Sequence, residues 1–164
     1  MTVAVIILAL VTLQRLGELV LARSNTRRLL ARGAVESGAE HYRFIVALHA
    51  AWLIGLWLLV WDLPVNLPLL LLFVLLQAGR VWVIATLGRR WTTRIITLPG
   101  ETLVRKGPFR FVSHPNYIVV AGELAVLPLA FGLPLYALVF TALNAVMMWV
   151  RIRCEQRALD AASA

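Results

Sequence analysis

Apolar residues along this chain come in runs close to the length of a membrane-crossing helix, not at the i, i+3, i+4 spacing of a helix half-buried in water. The runs predict five helices: about Thr2 to Ala22, Phe44 to Trp61, Leu67 to Leu87, Asn116 to Phe131 and Pro134 to Arg157. Asp62-Leu63-Pro64 separates the second from the third, and Phe131-Gly132-Leu133-Pro134 folds the stretch after Tyr117 into a tight helical hairpin. The segment from Gly88 to Ser113 is too long for a connector, and too basic and Gly/Pro-punctuated to cross a bilayer, so chemistry is expected there. The chain shows no internal repeat or low-complexity tract, and residues 1–164 read as a single domain.

Composition turns these helices into an all-α integral membrane bundle of about five transmembrane helices. Hydrophobic residues make up 61% of the chain and charged residues 15%, against roughly half and a quarter in soluble domains. The net charge of +8 raises nucleic acid as a partner, but the arginines sit in short segments between apolar runs, where membrane topology accounts for them. No nucleic-acid partner is expected; the surrounding partners are membrane lipids, and no oligomeric state is assigned. Arg23, Arg27, Arg28, Arg32 and Arg43 fall in the first loop, a second group runs from Arg89 to Arg110, and Arg151, Arg153 and Arg157 end the last helix. With five spans all three groups lie on one side, opposite Asp62, which predicts an outside N-terminus and a cytoplasmic C-terminus. Lys106 is the one lysine among 16 basic residues, a bias that points to a GC-rich genome and so to a bacterial cytoplasmic membrane. The first apolar stretch lacks a basic start and is interrupted by Gln14, Arg15 and Glu18, so it reads as a retained helix, not a cleaved signal. The single cysteine, Cys154, excludes an internal disulfide framework, and His41, His49 and His114 lack metal-binding spacing, so no metal is expected.

An ionisable side chain at mid-bilayer costs about 2.5–3.5 kcal/mol on insertion scales and needs a partner or a function. Gln14, Arg15 and Glu18 share a region of the first helix and Gln77 and Arg80 a face of the third; interhelical bonding, Glu18 with Arg80 for example, is the plainest reading. Asn144, Met148, Arg151 and Glu155 form one stripe on the last helix, and Asn116, Val120 and Glu123 another on the fourth. The short hairpin makes these helices antiparallel, which predicts a polar pocket open toward the cytoplasm. On spacing alone, Arg151 and Glu155 read more simply as an exposed i, i+4 pair. Ser113 is the expected cap of the fourth helix, with Pro115 in its first turn and a positive dipole end beside His114. His114 taken alone reads as a structural hydrogen-bonder.

Three segments change that picture: Leu103-Val104-Arg105-Lys106-Gly107-Pro108-Phe109-Arg110, His114-Pro115-Asn116-Tyr117, and Arg151-Ile152-Arg153-Cys154-Glu155. Together they resemble the isoprenylcysteine carboxyl methyltransferase family of integral membrane enzymes, over about Thr92 to Leu159. The first half, with Leu16-Gly17-Glu18-Leu19 and the basic first loop, looks like that family's small bacterial branch, some members of which are associated with O-methylation of long-chain alkylpyrones. The resemblance implies S-adenosyl-L-methionine as cofactor. It places cofactor contacts on Arg94, on Glu101, Thr102, Leu103 and Val104, on Phe109, on His114, Pro115, Asn116 and Tyr117, and on Glu155. It assigns Arg151 to orienting the acceptor's anionic group. Ser113 stands where the family often has Arg, Gln156 where it often has a second acid, and the family's tyrosine-bearing tail has no counterpart before Ala164. These departures favour a smaller acceptor over a prenylated protein.

The expected reaction is in-line methyl transfer to an acidic hydroxyl or carboxyl group of a lipid-like polyketide or isoprenoid acceptor. Such an acceptor is already ionised near neutral pH and needs no dedicated general base, in keeping with the missing Ser-His-Asp or Cys-His arrangement. The lipophilic acceptor would enter from the bilayer past residues such as Val119, Val120, Met147 and Met148, and the cofactor from the cytoplasm. Isoprenylcysteine carboxyl esterification is the alternative within the family. Outside it stand a small transporter subunit with Gln14, Glu18, Gln77 and Arg80 along its path, disfavoured by the missing inverted repeat, and a scaffold acting through its basic loops.

Overall fold

A computed structural model describes residues 3–163, with side chains through residue 159. Five helices run as α1 (Val3–Leu30), α2 (Ala39–Leu59), α3 (Leu67–Leu87), α4 (Pro115–Ala130) and α5 (Pro134–Ser163). Two short strands, β1 (Val35–Ser37) and β2 (Ile95–Thr97), pair antiparallel with Glu36 opposite Ile96. The helix count agrees with the apolar runs; the bounds do not all agree. The first helix continues past Ala22, so Arg23, Arg27 and Arg28 ride on its last turns instead of in a loop, and α2 starts at Ala39, not Phe44. Thr2, the expected first helical residue, lies outside the described residues. The strands went unpredicted because three residues apiece carry no readable alternation.

Four helices, α1, α2, α3 and α5, are long and apolar enough to cross a membrane. Their outer faces carry bare apolar side chains, such as Leu58 at 74% and Leu135 at 72% exposure, which water would reject and lipid accepts. The protein is an integral membrane protein. Helix α4 is different. Its 16 residues rise about 24 Å against a hydrocarbon core of about 30 Å. It is packed among the others, burying Val119, Glu123, Leu124, Val126 and Leu127.

One end of the bundle is apolar and tightly turned. Asn66 caps α3 by accepting from the Leu69 N–H at 3.1 Å, and its own N–H donates to the Ala130 carbonyl at 2.8 Å. Gly132, at φ 72°, makes the turn between α4 and α5 in a conformation that favours glycine. Leu56, Val60, Phe73, Leu127 and Phe131 fill the core below it. The other end carries the arginines and both strands. There Asn25 of α1 donates to the carbonyls of Gly88 and Trp91 at 3.1 and 2.8 Å, tying the first helix to the segment that follows α3.

Between the ends lies a buried ionic network that joins α1, α3 and α4. Arg80 donates from Nε to Glu18 at 2.7 Å and from Nη1 to Glu123 at 2.8 Å. Arg15 bridges the same two carboxylates at 2.9 Å each. Gln77 donates to Glu123 at 2.8 Å and accepts from Gln14 at 2.8 Å. The expected Glu18–Arg80 pair is therefore present, within a larger set of two cations and two anions. Arg80→Met would leave two buried carboxylates with half their compensation, and breaking a buried pair costs about 3–5 kcal/mol. The expected result is a markedly lower thermal unfolding midpoint in detergent; an unchanged midpoint would show that the network contributes nothing to the bundle.

Candidate active site

At the arginine-rich end, α4 begins at Pro115. Proline pre-sets the first helical φ and forces the residue before it out of the α region, so His114, at φ −129° and ψ 62°, occupies the capping position. Its side chain makes no capping bond, and Ser113 lies one residue too early to serve. The expected Ser113 cap is thus corrected: proline placement, not a hydroxyl, sets the start of the helix.

From this start, Tyr117 of α4 meets Arg151 and Glu155 of α5. Arg151 donates from Nε to the Tyr117 hydroxyl at 2.9 Å and from Nη2 to the Thr93 carbonyl at 2.8 Å. The hydroxyl in turn donates to Glu155 Oε2 at 2.5 Å. His114 stacks on the Tyr117 ring, centroids 5.1 Å apart, with Nδ1 3.7 Å from Glu155 Oε2. Arg151 and Glu155 are therefore not an exposed i, i+4 pair, because the tyrosine hydroxyl stands between guanidinium and carboxylate. Among the described residues both contacts of Glu155 fall on Oε2, and Oε1 takes no donor from them.

Behind this group a cavity of about 310 Å³ reaches into the bundle. Asn116, Tyr117 and Arg151 line its near end, and Leu16, Ile45, Val46, Leu53, Val120, Met147 and Met148 its walls. Arg15, Glu18, Arg80 and Glu123 close the deep end. Three of the four expected wall residues are there, but Val119 is buried toward Gly79 of α3 instead. His114 and Glu155 do not line the cavity; Tyr117 touches both of them, so its ring and the Arg151 guanidinium form a partition between the cavity and the His114–Glu155 pair.

The remaining expected residues stand apart. Arg94 bonds both Glu36 oxygens at 2.9 Å and lies 4.8 Å over the Tyr42 ring. The Glu36 hydrogen bond raises it above the usual guanidinium range. Glu101 pairs with Arg32 at 2.8 Å and Arg90 at 3.1 Å, and Arg90 also holds the Thr102 carbonyl. Leu103 is exposed, Val104 is half-buried, and no hydrogen bond or ion pair joins this segment to Glu155. Phe109 packs against Ala22, Val83 and Trp91, and Pro115 is buried. Sequence reasoning missed Tyr42, whose hydroxyl is 2.9 Å from Thr93 Oγ1, and His49 in the cavity wall. Their seven-residue spacing on one helix face was the available signal.

A family model, Isoprenylcysteine carboxyl methyltransferase (ICMT) family, matches residues 69–161. The chain belongs to the ICMT family. The match begins in α3 and takes in Tyr117, Arg151 and Glu155, so this membrane bundle is that of a methyltransferase family. The chain is 36% identical over 160 residues to the uncharacterized protein YpbQ of Bacillus subtilis (strain 168), covering 94% of this chain and 95% of the relative. It is 26% identical over 149 residues to an uncharacterized protein of Haemophilus influenzae, covering 83% of each. No solved structure matches significantly.

Hydrogen bonds to charged groups contribute about 1.5–3 kcal/mol, less where partly exposed. Tyr117→Phe removes the hydroxyl that bridges Arg151 and Glu155 but keeps the ring under His114. It is expected to destabilise the protein by about 1–3 kcal/mol in detergent unfolding. A midpoint equal to wild type would show that the bridge is not formed in solution.

Proposed function

We propose that this family member is an S-adenosyl-L-methionine-dependent O-methyltransferase of the bacterial cytoplasmic membrane, acting on an acidic hydroxyl or carboxyl group of a lipid-like polyketide or isoprenoid acceptor. The observation that carries the reading is the partition at Tyr117, with a carboxylate and an imidazole on one side and an apolar cavity ending at a guanidinium on the other. The residues fit the cofactor's chemistry. Glu155 Oε1 takes no hydrogen bond from a described residue, so it can accept from N–H or O–H groups such as those of an amino acid and a ribose. Asn116 Oδ1, buried without a donor where Asn116 lines the cavity beside Tyr117, is a second acceptor at the partition itself. When bound, the cofactor supplies an electrophilic methyl group.

The chain's own residues then hold and orient. Arg151, fixed by the Tyr117 hydroxyl and the Thr93 carbonyl, presents its charge at the near end of the cavity, where an anionic acceptor would be drawn and aligned. Placing the nucleophile at near-attack distance is the main source of rate in such a displacement. The cavity walls exclude water and take the acceptor's chain, which enters from the bilayer. The arginine-rich end faces the cytoplasm by the positive-inside rule, so the cofactor enters from that side and the N-terminus lies outside.

Calorimetric titration of the detergent-purified protein with S-adenosylhomocysteine tests the reading. Saturable binding is expected, weakened at least tenfold, about 1.4 kcal/mol, by Glu155→Ala or His114→Ala. A well-folded wild type that binds nothing would overturn it.

A further inference from the structure

The deep end of the cavity contains two polar side chains that nothing in the proposed transfer uses. Asn144 of α5 is 2% exposed and lines the cavity; among the described residues its side-chain amide nitrogen is buried without an acceptor. A buried amide left unpaired costs about 1–3 kcal/mol, so the site is built for a partner. His49 of α2 lines the same cavity. Its Nδ1 lies 2.8 Å from the Ile45 carbonyl, an oxygen that can only accept. Nδ1 therefore carries the proton, and Nε2 keeps a free lone pair.

The two side chains are at one depth. Gly55 of α2 lies against Tyr136 of α5, and Gly38 against Cys154. That antiparallel register sets His49 opposite residues 142–143, within a turn of Asn144. Asn144 is in turn seven residues from Arg151 along α5, about 10 Å at the helical rise. The neighbouring Arg15, Glu18, Arg80 and Glu123 are occupied with one another, so the imidazole and the amide are the groups left to read a ligand.

We infer that His49 and Asn144 form a second polar subsite of the acceptor cavity, which binds a hydroxyl group carried about 10 Å along the acceptor's chain from its reacting end. A hydroxyl is the smallest substituent that satisfies both, donating to His49 Nε2 while accepting from the Asn144 amide. The inference rests on the lipid-acceptor reading above and narrows it: the acceptor is oxygenated at two separated positions, and an unsubstituted alkyl chain leaves Asn144 unpaired.

Decanoate and 10-hydroxydecanoate, titrated calorimetrically into the protein in nanodiscs, test this without turnover. Both offer a carboxylate to Arg151, and only the second reaches the deep pair with a hydroxyl. A plain greasy cavity would favour decanoate, the more apolar probe. The expected result is the reverse: wild type binds 10-hydroxydecanoate at least fivefold tighter. His49→Leu and Asn144→Leu each erase that preference, and a cooperative thermal unfolding transition shows that each variant folds. If either leucine variant loses decanoate binding, His49→Ala or Asn144→Ala supplies the same readout without added bulk. Equal or weaker binding of the hydroxylated probe, binding of neither probe, or a preference that survives either substitution overturns the inference, leaving the deep pair to ordered water. Failure of S-adenosylhomocysteine to bind, with the probe preference intact, would remove the methyltransferase reading and leave the subsite standing.

Discussion

Charge in lipid must be compensated at once, and the bundle is organised around that requirement. Arg15, Glu18, Arg80 and Glu123 come from three helices, and each is paired with both groups of opposite charge. Each cation touches both anions, so rotating or sliding any of α1, α3 or α4 would strand charge on the other two. Apolar packing in a membrane gives little of this specificity, because lipid tails solvate leucine as well as another helix does. The network therefore sets which faces of the three helices meet, and with them where the cavity begins.

The same network closes the deep end of the cavity. A short α4 makes this arrangement possible. Held among longer neighbours, it brings Glu123 into the network near its middle and Tyr117 into the site at its first turn. Helix α5 runs alongside and places Asn144, Arg151 and Glu155 at successive depths. The Tyr117–Arg151–Glu155 group thus occupies one end of a polar ladder that continues inward, and the ladder's spacing is the helical rise.

Above the membrane-crossing helices, charge pairs act as clamps. The β1–β2 pair, the Arg94–Glu36 bond and the Arg32–Glu101–Arg90 set join the first long loop to the third. They hold Thr93 where its carbonyl receives Arg151. Arg94 and Glu101, which the family resemblance places beside the cofactor, are paired here with Glu36 and with Arg32 and Arg90.

The amino-acid sequence by itself determined the membrane class, the five helices, the hairpin at Gly132 and the one-sided arginines, because each follows from local composition or from residues within one helix turn. It also carried the family motifs, since those are linear. The Glu18–Arg80 pair was legible because an unpaired charge in a span has few other outcomes. What only the tertiary structure decided are relations between helices with no linear trace. Tyr117 stands between Arg151 and Glu155, Glu123 joins the ionic network, and Thr93 reaches α5 through its backbone. His49 and Asn144 line one cavity for the same reason: helix register is set by packing across space, and side-chain spacing along one helix cannot report which residue of another lies opposite.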